Sequence, residues 1–150
     1  MVQNYYPPVG FHFSVSFKKG SSSASESQFQ SVSGLSVDID TEEYAEGGEN
    51  RFKHKLPVKT RYPNLVLKRG LFIQSDLIDW CKDAIENFKF ERRDVTVILL
   101  NEQHTPLMTW EISGSFPVKW NVDDFNATES KLVIETIELS YNYFKVTSNF

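Results

Sequence analysis

The sequence predicts a mainly β domain of the α+β class: a mainly antiparallel sheet pair or barrel, with one α-helix plugging a side or end. Three observations predict it. Apolar residues alternate with polar ones in most segments between turn signals, the pattern of strands with one buried face. Only one segment, about Asp76 to Lys89, carries apolar residues at helical spacing. The chain of 150 residues is 14% aromatic, with twelve Phe, which suits one domain with an ordered core.

The first strand is read from Phe11, Phe13, Val15 and Phe17, which alternate with His12, Ser14, Ser16 and Lys18. Lys19-Gly20 and the serines up to Ser25 read as a flexible polar connection. Leu35, Val37 and Ile39 alternate with Ser36, Asp38 and Asp40, a second strand expected to return as the hairpin partner of the first. From Thr41 onward apolar residues nearly vanish, and residues 41–56 read as an extended polar loop. Such a long loop is uncommon in a compact domain and often grips a neighbour.

Leu65 and Leu67 lie in a short strand, Tyr62 to Lys68, closed by Gly70. In the helix, Leu77, Ile78, Cys81, Ile85 and Phe88 form the predicted buried stripe, with Trp80 at its edge. Ser75 is placed to cap it, Asp76 and Asp79 sit in its first turn, and Lys89 in its last. Val95, Val97 and Leu99 mark a strand from Asp94 to Leu100, and Asn101 to His104 a turn. The chain returns over Leu107 to Ile112, and Gly114 before Phe116–Trp120 predicts a bent or bulged strand end. Asn121 to Ser130 is turn-like; Ile137, Leu139, Tyr141 and Tyr143 alternate in one long last strand.

The residues contain no catalytic constellation. His12, His54 and His104 are scattered and lack metal-ligand spacing. No strand is expected to feed Gly47-Gly48 and no helix to follow it, so it is not read as a phosphate cradle. Neither Ser33-Gly34 nor Ser113-Gly114 forms a nucleophile elbow. The acidic pairs Glu42/Glu43 and Asp123/Asp124 lie in polar segments and lack the enclosed setting that general acid–base work needs. Cys81 is the sole cysteine, so no intrachain disulfide forms. A net charge of −4 argues against a general nucleic-acid binder. The first residues resemble no signal peptide, and no stretch approaches a membrane span, so synthesis and folding in the cytoplasm are expected. No cofactor or metal is implied, and the reading from residues stops at a β-rich interaction module.

Five segments in order carry a resemblance. They are Tyr6–Phe13, Val32-Ser33-Gly34-Leu35, Glu43–Asn50 followed by Lys55-Leu56-Pro57, Tyr62–Gly70 and Phe116–Trp120. Together they resemble the tail-tube proteins of contractile phages and injection systems, including their "YPNLTLKRG" and "PxKW" elements. The sequence departs from the family in the serine-rich Lys19–Ser27 stretch and the Phe144–Phe150 tail.

The resemblance implies a tail-tube or Hcp-like subunit, two packed antiparallel sheets forming a β-barrel-like unit with one flanking α-helix, in a single non-enzymatic domain over residues 1–150. Such subunits form stacked homo-hexameric rings. Implied partners are a contractile sheath protein, baseplate or tube-initiator and cap proteins, and a cargo effector or DNA in the lumen. No stable membrane insertion is implied. The expected place is a bacterial cytoplasm, then a phage tail or an extracellular injection particle. Segment 41–56 becomes an inter-subunit arm, with Glu42, Glu43, Tyr44, Arg51 and Lys55 as contacts. Tyr62, Asn64, Lys68 and Arg69 are further subunit or ring contacts. The alternatives are a tube-end adaptor, initiator or terminator ring, or a small β-barrel binding module.

Overall fold

The computed structural model describes residues 12–19, 22–25, 29–45, 47–48, 53–71 and 75–148. Among these are ten strands and one helix. The strands are β1 (Phe13–Lys19), β2 (Ser22–Ser25), β3 (Phe29–Ser33), β4 (Asp38–Tyr44), β5 (His54–Arg61) and β6 (Leu65–Gly70). After helix α1 (Asp76–Glu86) come β7 (Arg93–Leu100), β8 (Pro106–Val122), β9 (Ile134–Ser140) and β10 (Tyr143–Ser148).

Every pairing among the described residues is antiparallel, and there the main path runs β2-β1-β7-β8-β9-β6-β3 without closing. The 17-residue β8 is the seam between two sheets. Its first part pairs with β7, and Met108–Ser113 also pair with β10, which must lie on the opposite edge. Its second part, from Phe116, pairs with β9. Gly114 sits at the switch with φ +69°, a conformation that suits glycine. The pairing with β7 shifts register there, the bulge alternative of the expectation, although the strand continues through it.

Both sheets and the helix feed one core. Val15, Phe17, Val95, Val97 and Ile112 come from one sheet, and Phe29, Leu65, Leu67, Ile137 and Leu139 from the other. Leu77, Trp80 and Cys81 of α1 complete it. Ser75 caps the helix as expected, its Oγ accepting from the Ile78 N–H at 3.1 Å.

Four expectations are corrected. The hairpin partner of β1 is the serine strand β2, with Phe17 opposite Ala24, and not the Leu35–Ile39 segment. An edge strand is held by backbone hydrogen bonds and needs no apolar face, so its composition hid it. Val37 and Ile39 are exposed, and the chain from Asp38 pairs with β5 instead. The flanks of segment 41–56, Thr41–Tyr44 and His54–Leu56, are therefore not loop but belong to a two-stranded ribbon, and residues 46 and 49–52 lie outside the described residues.

The buried helix stripe is Leu77, Ile78, Trp80, Cys81 and Ala84, while Ile85 and Phe88 face solvent. The helix stops at Glu86, before Lys89, so Phe88 leaves on a left-handed φ of 51°. Trp80 can enter the core because its Nε1–H donates to the Glu91 carbonyl at 2.7 Å. Finally, the last strand is two, broken at Tyr141–Asn142. The break lets the chain leave β9 on one sheet and join β8 as β10 on the other. Phe11 lies outside the described residues.

Candidate assembly surface

Assembly surfaces are made of what a lone subunit leaves unsatisfied: strand edges without partners and apolar side chains without cover. Strands β2 and β3 end the main path, and Phe116–Val122 of β8 pair along only one edge among the described residues. Beside that half of β8 lies an aromatic cluster. Phe88, 81% exposed, meets Phe90 edge-on at 4.8 Å, and Phe90 meets Phe116 at 5.7 Å. The Arg92 guanidinium lies over the Phe116 ring at 4.8 Å, covering one face of it.

The β4–β5 ribbon is the second exposed feature. Glu42 faces Leu56, Glu43 faces Lys55 and Tyr44 faces His54 in register. Nearly all of its side chains are exposed; Asp40 and His54 are half-buried. The Tyr44 and His54 rings stack at 5.1 Å and 21°, stiffening the far end. Glu42, Glu43, Tyr44 and Lys55 are thus brought together on one element, while Arg51 lies outside the described residues.

The second predicted group divides. Lys68 is exposed on β6. Asn64 is exposed too, its Nδ2 donating to Glu138 Oε1 at 2.8 Å. Tyr62 is half-buried in an aromatic cluster, 5.1 Å from Phe144 and 5.8 Å from Tyr141. Burial pushes the Tyr141 hydroxyl pKa upward, with Tyr62 adding to the effect.

Arg69 is no surface contact. It is 1% exposed, with its Nε 3.1 Å from Glu135 Oε1 and its Nη2 donating to Ser75 Oγ at 2.8 Å. The placement follows from alternation, because Leu65, Leu67 and Arg69 share the inward face of β6. The same phase carries Glu135 inward with Ile137 and Leu139, and Arg93 inward with Val95 and Val97. These buried charges were missed although a period of two, extended one step past the apolar residues, would have found them. The histidines are less scattered than their spacing suggests: the rings of His12 and His104 meet edge-to-face at 5.2 Å.

No curated protein matches the sequence. Among solved structures, the chain is similar to one from the anti-feeding prophage (AFP) baseplate, at 29% identity and TM-score 0.90 over 97% of this chain and 98% of that one. It is similar to a chain of the PVC sheath–tube complex in the extended state, an extracellular contractile injection system, at 31% identity and TM-score 0.81 over 97% and 94%. Chains from the AFP tube-terminating cap and the PVC sheath/tube terminator match at 28% and 32% identity. Hcp1 from Flavobacterium johnsoniae, 17% identical at TM-score 0.55 over 91% and 96%, shares the fold. The family model of the T4-like virus tail tube protein gp19 matches residues 9–145. An unclosed pair of antiparallel sheets with one described helix, and a match over nearly the whole chain, lead to one statement: this protein belongs to the T4-like virus tail tube protein family.

Proposed function

We propose that this chain is the inner-tube protomer of a contractile injection system, closing into hexameric rings that stack around a lumen. The observation that carries the reading is the open sheet pair. The outer edges of β2 and β3, and one edge of the second half of β8, have no described partner within the subunit. Neighbouring copies satisfy such edges, and a closed ring removes them altogether. Similarity to chains from sheath–tube, baseplate and terminator structures supports this reading.

The role is mechanical. The core makes the subunit, edge pairing makes the ring, and the ribbon (Glu42, Glu43, Tyr44, Lys55) together with Lys68 contacts further copies. The contractile sheath surrounds the tube, a baseplate or initiator begins it, a cap ends it, and a cargo effector or DNA occupies the lumen. The whole chain acts as one domain in this reading. Negative-stain microscopy of the purified protein tests it: sixfold rings or tubes are expected, alone or nucleated by baseplate components. Particles that stay monomeric at high concentration even with those components would sink it.

A second reading places the chain in a specialised ring at the baseplate end. It is favoured by the TM-score of 0.90 to the baseplate chain, against 0.81 to the sheath–tube chain. Immunogold labelling of assembled particles separates the two: label along the whole tube for a main protomer, label at one end for a terminal ring.

A further inference from the structure

The ribbon divides its charge by strand. Strand β4 carries Asp38, Asp40, Glu42 and Glu43 and no base, whereas β5 carries Lys55, Lys59 and Arg61 and no acid. Within the ribbon, Arg61 Nη2 reaches Asp40 Oδ1 at 3.2 Å. Glu42, Glu43, Lys55 and Lys59 make no ion pair among the described residues, although Glu43 and Lys55 are registered opposite each other. Among the described residues each strand is bonded only to the other, and both outer edges of the ribbon are open.

We infer that neighbouring copies join their ribbons edge to edge, the acidic strand β4 of one copy against the basic strand β5 of the next. The inference rests on the tube reading and names the surface that receives the arm. An edge strand that must stay alone is guarded by charge of one sign, which repels a second copy of itself. Here the two edges carry opposite signs, so each copy repels the like edge and attracts the unlike one. A contact between two different patches of the same chain is head-to-tail, the kind that closes into a ring when the rotation fits. It also cures a local weakness. A two-stranded ribbon is marginal by itself, and a strand added on each edge gives it the width an independent sheet needs.

The test uses two charge-reversed full chains beside the unaltered one. The first carries Glu42→Lys and Glu43→Lys, and the second Lys55→Glu and Lys59→Glu. Circular dichroism and a thermal melt establish that each folds. Each alone is expected to lose tube formation by about tenfold or more in pelleted mass, and an equimolar mixture is expected to recover it. Recovery in the mixture requires contacts between chains, because the strands within each chain stay mismatched. If both variants assemble like the unaltered protein, the edge contact is wrong and the tube reading stands. If the mixture fails while one chain bearing all four changes assembles, the charges act only within the ribbon and the inference is again wrong. If the unaltered chain itself never assembles, the tube reading falls first.

Cross-linking gives an independent readout on assembled tubes. A Glu42→Cys chain mixed with a size-tagged Lys59→Cys chain is expected to yield mostly mixed disulfide pairs on oxidation. Pairs of the same kind in equal or greater amount would overturn the contact.

Discussion

Arg69 and Glu135 are registered neighbours on β6 and β9, and their side chains meet inside the protein with Nε 3.1 Å from Oε1. Arg69 also donates to Ser75, the residue that caps α1, and lies over the Phe29 ring at 5.1 Å. From the other sheet, Arg93 reaches Asp76 at 2.9 Å and lies 5.0 Å from the Trp80 ring centre. One arginine from each sheet thus holds the first turn of the helix, and the helix locks the sheets together.

Breaking the Arg69–Glu135 pair from one side leaves a buried charge without its partner. Arg69→Met or Glu135→Leu alone is expected to lower unfolding free energy by about 3–5 kcal/mol. The double variant is expected to recover much of that loss, because neither charge of the pair then stays buried. Denaturant titration of the three chains, followed by tryptophan fluorescence, measures both effects.

Gly34 has φ +94°, and a Cβ there would lie 2.1 Å from the Asn64 carbonyl oxygen. Gly48 has nearly the same φ, +95°, but open space around it. Strain alone costs about 1–3 kcal/mol at such a residue. Gly34→Ala is expected to lower the melting temperature clearly more than Gly48→Ala, because it must also displace the chain at Asn64. Equal shifts in the two melts would contradict the close approach.

The helix stripe gives a sharp contrast between two aromatic residues. Trp80→Ala is expected to cost about 3–5 kcal/mol by opening the core and freeing the Glu91 carbonyl. Phe88→Ser, on the exposed side, is expected to change monomer stability by no more than about 0.5 kcal/mol. Paired denaturation curves check the order. A defect in assembly with unchanged monomer stability in the Phe88 variant would place that residue at a contact.

Cys81 is fully buried, and burial, reinforced by the Glu135 carboxylate, pushes its thiol pKa up to about 12. Thiolate is the reactive form. Labelling by a disulfide reagent at pH 8 is therefore expected to proceed only as fast as the protein unfolds, and to become immediate in denaturant.

The Tyr141 hydroxyl carries a pH prediction. Its folded pKa is raised above 10.0 by burial first and then by Tyr62. The unfolded chain therefore ionises this tyrosine first, so stability is full below about pH 10 and falls as pH rises through the folded pKa. Tyr141→Phe is expected to flatten that alkaline decline, as read from melting temperatures between pH 8 and 11.

Local patterning decided much of this protein in advance. Alternation in β1, β6, β7 and β9 placed Val15, Phe17, Leu65, Leu67, Val95, Val97, Ile137 and Leu139 in the core, because a strand with one buried face leaves no other phase open. The helix and its Ser75 cap were legible for the same reason: their determinants lie within one or two turns of chain. Partnership was not. Whether β1 pairs with a serine strand or with Leu35–Ile39, and whether the last strand runs straight or breaks at Asn142, depends on which backbone edges meet in space. That is a question of chain topology, and side-chain composition does not encode it. The inward phase of Arg69 was legible in the alternation of β6, but its charge is held in the core only because tertiary structure delivers Glu135 and Ser75 to meet it.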